Sequence, residues 1–179
     1  MGWGEGFKGK RMLGYVLSET PGMADRLLAD LAAELRRAGF PVAGTVQINT
    51  ETAGAARCDM DLQVLTGGRM VRISQRLGPH SRGCRLDPAG LEEAVGLVAE
   101  ALAGPARPRL LIVNKFGKQE VEGRGFRPLI GQALAEGIAV LTAVGRGHLA
   151  GFEAFAGGLA ECLPAEPAAL RAWCARAAA

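Results

Sequence analysis

Two lysines and a glutamate follow an apolar run in the second half of the chain. Lys115 and Lys118 come just after Leu110–Val113, with Asn114 between them and the run, and Glu120 lies two residues further on. Lysine forms charge-assisted hydrogen bonds with phosphate and other oxyanions, and a carboxylate can hold a metal ion or orient water. The pattern indicates either an anion site, with Glu120 as a candidate catalytic group, or a solvated loop with internal ion pairs.

A second group of cations lies in the middle of the chain. The net charge of the 179 residues is only +3, which argues against a general nucleic-acid binder. The segment from residue 69 to 85, however, has five arginines and no aspartate or glutamate. This local excess suits a small anion, and Arg82 and Arg85 are its candidate ligand-binding residues. The five arginines are Arg69, Arg72, Arg76, Arg82 and Arg85.

Two aspartates precede these arginines at a spacing of two residues. On a strand, Asp59 and Asp61 would point to the same face. Either they coordinate a metal ion, with Asp61 as a second candidate catalytic residue, or they pair with Arg82 and Arg85 and hold a loop down. The four cysteines have no CxxC or zinc-finger spacing, so we expect a reduced, cytoplasmic protein.

Residues 12–48 show the rhythm of a parallel α/β fold. Met12–Leu17 predicts a strand, Met23–Ala38 has leucines at helical spacing, and Val42–Ile48 predicts a second strand. The turn around Gly22 leads into the N-terminus of that helix. Free backbone amides and the helix dipole favour an anion there, which makes Gly22 a candidate binding residue.

The rest of the chain predicts a β-hairpin followed by alternating helices and buried strands. Cys58–Leu65 and Arg69–Gln75 flank Gly67-Gly68, a pair that suits a tight turn, and Asp87-Pro88 is a typical helix start. The remaining expected elements are strands at Leu110–Val113 and Ile138–Val144, a polar loop at Asn114–Gly125, and helices at Arg127–Glu136, Leu149–Ala156 and Ala168–Ala177, the last two joined by a loop.

These elements fit one α/β domain. We expect residues 1–11 to be a flexible extension and residues 12–179 to form a single domain. No run of about 18 apolar residues is present, so we expect no membrane span, and residues 1–11 lack the apolar core of a signal peptide.

Three stretches carry a family resemblance: Cys58–Leu62 (CDMDL), Ser81–Asp87 (SRGCRLD) and Val113–Gly125 (VNKFGKQEVEGRG). From about Met12 to Trp173 the chain resembles a bacterial domain family of uncharacterised function in the P-loop NTPase superfamily, related to the thermophile-type nucleoside-triphosphatases. The resemblance implies a mainly parallel sheet flanked by helices, with an inserted β-hairpin. It also implies nucleotide with Mg²⁺ as a possible cofactor. Members are often encoded near molybdate-transport genes, which suggests a molybdate-transport or molybdoenzyme partner.

The chain departs from the active enzymes at the residues that handle phosphate. In the P-loop pattern G-x-x-x-x-G-K-[ST], Asp25 stands at the lysine and Arg26 at the hydroxyl residue that binds Mg²⁺. Asn114 stands where the related enzymes carry an acidic residue, whereas Gly117-Lys118 is retained. Because phosphoryl transfer needs neutralised phosphates and a positioned Mg²⁺, we expect little or no hydrolysis.

The leading interpretation is a P-loop-like protein that binds a nucleotide or a small oxyanion such as phosphate, molybdate or tungstate. A divergent nucleoside-triphosphatase and a regulatory, partner-binding module remain alternatives. On the leading interpretation, the segments around Gly22, Arg82 and Asn114–Glu120 converge on one site, because ligands bind at the carboxyl ends of strands in open α/β sheets.

Overall fold

Parallel strands form the centre of the molecule. The computed structural model describes residues 11–55, 57–78, 80 and 85–179. Within these residues seven strands form one sheet in the order β4-β3-β2-β5-β6-β1-β7. The strands are β1 (Leu13–Ser18), β2 (Val42–Thr50), β3 (Asp59–Val64), β4 (Met70–Arg72), β5 (Leu110–Phe116), β6 (Ala139–Gly145) and β7 (Ala160–Leu163).

The helices lie on both faces of this sheet. They are α1 (Met23–Arg37), α2 (Pro88–Ala103), α3 (Lys118–Val121), α4 (Arg127–Ala135), α5 (Leu149–Ala156) and α6 (Pro167–Ala177). Buried side chains of α1 and α6 form one core with one face of the sheet, and those of α2, α4 and α5 form a second core on the other face. The fold is therefore a mainly parallel sheet flanked by helices, as in P-loop NTPases.

The sheet is parallel except at one edge. β2, β5, β6, β1 and β7 run parallel to their neighbours, whereas β3 and β4 continue the sheet as an antiparallel hairpin beside β2. Gly67 and Gly68 in the hairpin turn have φ angles of 84° and 74°, which side chains rarely adopt. The predicted inserted hairpin and the central position of the Leu110 segment are both confirmed.

Two predictions about local structure were wrong. The loop expected at Asn114–Gly125 begins as strand, because β5 continues through Phe116, and it includes the single-turn helix α3. The loop expected between the last two helices contains the edge strand β7, which pairs with β1. In both places tertiary contacts determine the conformation, and the local sequence pattern is too short to indicate it. The predicted helix start at Asp87-Pro88 is confirmed, since the Asp87 carboxylate accepts the Ala89 amide.

The described residues contain no helix that is long and apolar enough to cross a membrane.

Close backbone approach between β2 and β5 requires a glycine in β2. Gly44 has a φ of 111°, and a Cβ atom placed on it would lie 1.9 Å from the Ile112 carbonyl oxygen. Ile112 is its register partner in β5. A side chain at this position would push apart the two strands that carry the site described below.

We therefore expect Gly44→Ala to lower the free energy of unfolding by about 3 kcal/mol, from the combined cost of a strained φ and a backbone clash. Urea denaturation measures the change. Gly96→Ala is the matched control: Gly96 is exposed in α2 with open space around it, so its substitution should stabilise the fold by about 0.5–1 kcal/mol. An unchanged midpoint for Gly44→Ala would contradict the tight β2–β5 contact.

Candidate functional site

The turn between β1 and α1 presents a helix N-terminus at the carboxyl edge of the sheet. Gly22 precedes α1 in the left-handed conformation, with a φ of 75°, and no side chain caps the helix. The Met23 amide donates to the Thr20 carbonyl at 3.2 Å, which closes the turn. Uncapped amides at the start of a 15-residue helix favour an anion.

A buried carboxylate lies in the first turn of this helix. Asp25 is 5% exposed. Its Oδ1 accepts a hydrogen bond from Asn114 Nδ2 at 3.0 Å, and its Oδ2 accepts one from Asn49 Nδ2 at 2.8 Å. Gln47 Nε2 in turn donates to Asn49 Oδ1 at 2.9 Å. Asp25 thus joins α1 to the ends of β5 and β2.

A lysine partly neutralises this carboxylate. Lys115 Nζ lies 3.6 Å from Asp25 Oδ1, and the Lys115 side chain is about two-fifths exposed. A cation from the end of β5 therefore stands beside the first turn of α1. The structure brings together three of the predicted binding elements here, namely the Gly22 turn, Asn114 and Lys115.

Asn114 is the most deeply buried polar residue of this group. It is 1% exposed, and no group in the described ranges donates to its Oδ1 atom. An unmet buried acceptor costs about 1–3 kcal/mol, so most such groups in folded proteins have a partner. The amide therefore holds Asp25 through Nδ2 and leaves an acceptor unused.

Lys118 contacts Glu122 and not the residues of the Asp25 cluster. It is the first residue of α3, and its side chain is 65% exposed. Its Nζ lies 3.9 Å from Glu122 Oε1, and Glu122 also pairs with Arg124. Internal ion pairs are therefore present in this loop, as one of the two sequence interpretations expected.

Glu120 organises the segment that follows β5. Its carboxylate is 3% exposed, and it accepts the Gly117 amide at 2.9 Å and the Phe126 amide at 3.1 Å. A Cβ atom on Gly125 would lie 2.2 Å from Glu120 Oε1. Both oxygens are thus engaged with the backbone, and the catalytic role considered for Glu120 stays a prediction.

Burial raises the pKa of Glu120 above its usual range. The amide hydrogen bonds from Phe126 and Gly117 act in the opposite direction, and the nearby Glu92 carboxylate adds to the rise. The protonated form is therefore favoured more in the folded chain than in the unfolded chain.

The two aspartates of the hairpin do share one face, but their arginine partner differs from the expected one. Arg72 Nε lies 2.6 Å from Asp61 Oδ1, and Arg72 Nη1 lies 3.1 Å from Asp59 Oδ2. The predicted ion pair between these aspartates and Arg85 was wrong, because the strand register places Arg72 of β4 opposite Asp61. The predicted pair with Arg82 lies outside the described residues.

Asp59 has a further set of donors. Thr52 Oγ1 donates to its Oδ2 at 2.9 Å, and Arg76 Nη2 lies 3.4 Å from the same oxygen. The hydrogen bond from Thr52, followed by the charges of Arg72 and Arg76, lowers the pKa of Asp59. Both aspartates are paired with arginine, and the described part of the chain holds no group of three or more His, Cys, Asp or Glu that could bind a metal ion.

The predicted arginine binders are only partly described. Arg85 Nη2 donates to the Cys58 carbonyl at 2.9 Å, which ties the residue to the start of β3. Because β3 is antiparallel to β2, this start lies at the carboxyl end of the parallel strands, the same edge as Lys115. Arg82 lies outside the described residues.

Sequence reasoning missed the amides of β2. Asn49 and Gln47 complete the Asp25 cluster, although neither was singled out from the sequence. Their position at the end of an apolar strand is the same signal that pointed to Asn114.

The fold defines a P-loop NTPase-like α/β protein, and a buried carboxylate, Asp25, lies in the first turn of the helix that follows its first strand. A model of the DUF2478 family, described as proteins of unknown function, matches residues 13–173. The chain belongs to this family.

One curated relative is a molybdenum import ATP-binding protein, ModC 2, of Bradyrhizobium diazoefficiens. It is 40% identical over 149 residues, which are 83% of this chain but only 16% of the relative. The chain thus spans about a sixth of the length of that relative.

A solved structure supports the fold. The solution structure of a human cancer-related nucleoside triphosphatase superposes with a TM-score of 0.52 and 22% sequence identity. The match covers 75% of this chain and 76% of that chain.

The raised pKa of Glu120 leads to a pH prediction. The folded chain favours the protonated acid. The contribution of Glu120 to stability should therefore fall as pH rises from the pKa of Glu120 in the unfolded chain, about 4.3, through its higher pKa in the folded chain. We expect the free energy of unfolding of the wild type, relative to Glu120→Gln, to decline with rising pH in that window.

Urea denaturation at a series of pH values measures this difference. Glu100→Gln, at an exposed position of α2, is the matched control for removal of one carboxylate. A difference between wild type and Glu120→Gln that rises with pH would show that the amide hydrogen bonds outweigh burial.

Proposed function

We propose that this protein binds a nucleotide or a small oxyanion, such as phosphate, molybdate or tungstate, at the turn between β1 and α1, with little or no hydrolysis. The observation that carries the proposal is the 3.6 Å approach of Lys115 Nζ to Asp25 in the first turn of α1. Lys115 thus places a cation next to the uncapped helix amides, at the edge where α/β sheets bind ligands.

The same observation argues against efficient hydrolysis. Lysine in an active P-loop faces the β- and γ-phosphates, whereas Lys115 here already faces a buried carboxylate. Asp25 is fixed by Asn114 and Asn49, so it cannot easily swing away from a bound phosphate. Electrostatic stabilisation of phosphoryl transfer would be weakened at the atoms where charge develops.

The curated relative supports a link to molybdenum metabolism. Its name assigns ATP binding and molybdenum import to a polypeptide of which this chain matches 16%. A homologous segment inside a larger protein also favours a second candidate function, a regulatory module that acts through a molybdate-transport or molybdoenzyme partner.

A ligand screen by thermal shift tests the binding proposal. The ligands are ATP and GTP with Mg²⁺, phosphate, sulfate, molybdate and tungstate. A site filled at 100 times its dissociation constant should stabilise the fold by about 2.7 kcal/mol. We expect Lys115→Ala to reduce this shift strongly, because Lys115 lies beside the first turn of α1. Lys118→Ala and Arg85→Ala should reduce it less, because these two residues contact Glu122 and the Cys58 carbonyl outside the Asp25 cluster.

Arg171→Ala is the matched control, since Arg171 forms an exposed ion pair with Glu34 away from the strand ends. No shift with any ligand would refute the binding proposal and favour the partner-binding module. Magnesium-dependent turnover of ATP or GTP at about one per second, typical of enzymes, would instead favour a divergent nucleoside-triphosphatase.

A further inference from the structure

The first turn of α1 gathers hydrogen-bond acceptors as well as donors. The donors are the uncapped helix amides and Lys115. The acceptors are the Asp25 carboxylate and the amide oxygen of Asn114. A ligand that fills this site must therefore both accept and donate hydrogen bonds.

The Asn114 oxygen is the acceptor that most needs a donor. It is buried and receives no hydrogen bond from any residue that the structure describes. It belongs to the same amide group as Nδ2, which lies 3.0 Å from Asp25 Oδ1, so it lies within a few ångström of the first turn of α1.

Asp25 also has acceptor capacity to spare. A carboxylate offers about four lone-pair sites. Two of them receive the amides of Asn114 and Asn49, and Lys115 lies 3.6 Å from one oxygen. The remaining capacity would repel the bare oxygen of a fully ionised anion and would accept an O–H group.

Tetrahedral oxyanions of equal charge differ in whether they carry an O–H group that can donate a hydrogen bond. At pH 8 phosphate and arsenate are mainly dianions that keep one O–H group, whereas sulfate, molybdate and tungstate are dianions without a proton. A site whose buried acceptors stay unpaired rejects a ligand that lacks the matching donor.

We propose that Asp25 and Asn114 make this site selective for a protonated tetrahedral oxyanion, inorganic phosphate, over the unprotonated sulfate, molybdate and tungstate. The inference rests on the proposed anion binding and narrows its ligand class. Helix amides and Lys115 would bind the charged oxygens, and Asp25 and Asn114 would share the single O–H group of the ligand as acceptors.

Isothermal titration calorimetry at pH 8 with the five oxyanions tests the selectivity. We expect phosphate and arsenate to bind about ten-fold more tightly than sulfate, molybdate and tungstate, which is the effect of about one unpaired buried acceptor. Equal charge within the series removes simple electrostatic attraction as an explanation.

Two variants locate the source of the selectivity. Asp25→Asn replaces an acceptor by a group that can also donate, so the phosphate-to-sulfate affinity ratio should fall about ten-fold. Asp30→Asn, the same change at an exposed position of α1, should leave the ratio unchanged. Asn114→Ala removes the unpartnered oxygen and should also lower the ratio, which provides a second test if Asp25→Asn does not fold.

The outcomes separate this inference from the function it rests on. Molybdate, sulfate or tungstate binding as tightly as phosphate, or a ratio that neither variant changes, would overturn the selectivity and leave anion binding intact. Failure of all five oxyanions and of the nucleotides to bind would refute the proposed function itself.

Discussion

The hydrogen bonds of the Asp25 carboxylate connect the parts of the molecule that meet at the strand ends. Asp25 lies on α1, Asn114 on β5 and Asn49 on β2, so one buried side chain joins a helix to two neighbouring strands. A buried charge is stable only when it is paired and hydrogen-bonded. The same carboxylate lies 3.6 Å from Lys115 Nζ. On the proposed function, its negative charge limits which ligand the turn can accept.

The segment after β5 shows a comparable use of one buried acid. Glu120 receives amides from both ends of a short polar stretch and thereby holds α3 and the start of α4 against the core. Isolated helices of one turn are unstable in water, so α3 depends on this tertiary contact. Two buried carboxylates thus hold the end of β5 and the segment after it: Asp25 accepts side-chain amides, and Glu120 accepts backbone amides.

Much of the fold could be predicted from the sequence because long apolar patterns carry it. The helical spacing of leucines in α1, the apolar run in β5 and the Gly67-Gly68 turn each indicate their element without reference to the rest of the chain. β7 has only four residues and α3 is held by Glu120, so neither has a local pattern of its own. At the candidate site, the P-loop comparison pointed to Asp25, but its partners lie 24 and 89 residues away. The choice of Arg72 over Arg85 as the partner of Asp61 follows from strand register, which the sequence does not specify.

The two edges of the sheet bear on how this protein behaves in solution. β4 has three residues and β7 has four, so each edge exposes few unpaired backbone groups. At the β7 edge, Glu161 pairs with Arg176 of α6, which places charge beside the free side of the strand. Short, charged edge strands hinder the addition of a strand from another chain. The long, apolar strands that would aggregate most readily are confined to the interior of the sheet, and the protein thereby gains protection against self-association through its backbone.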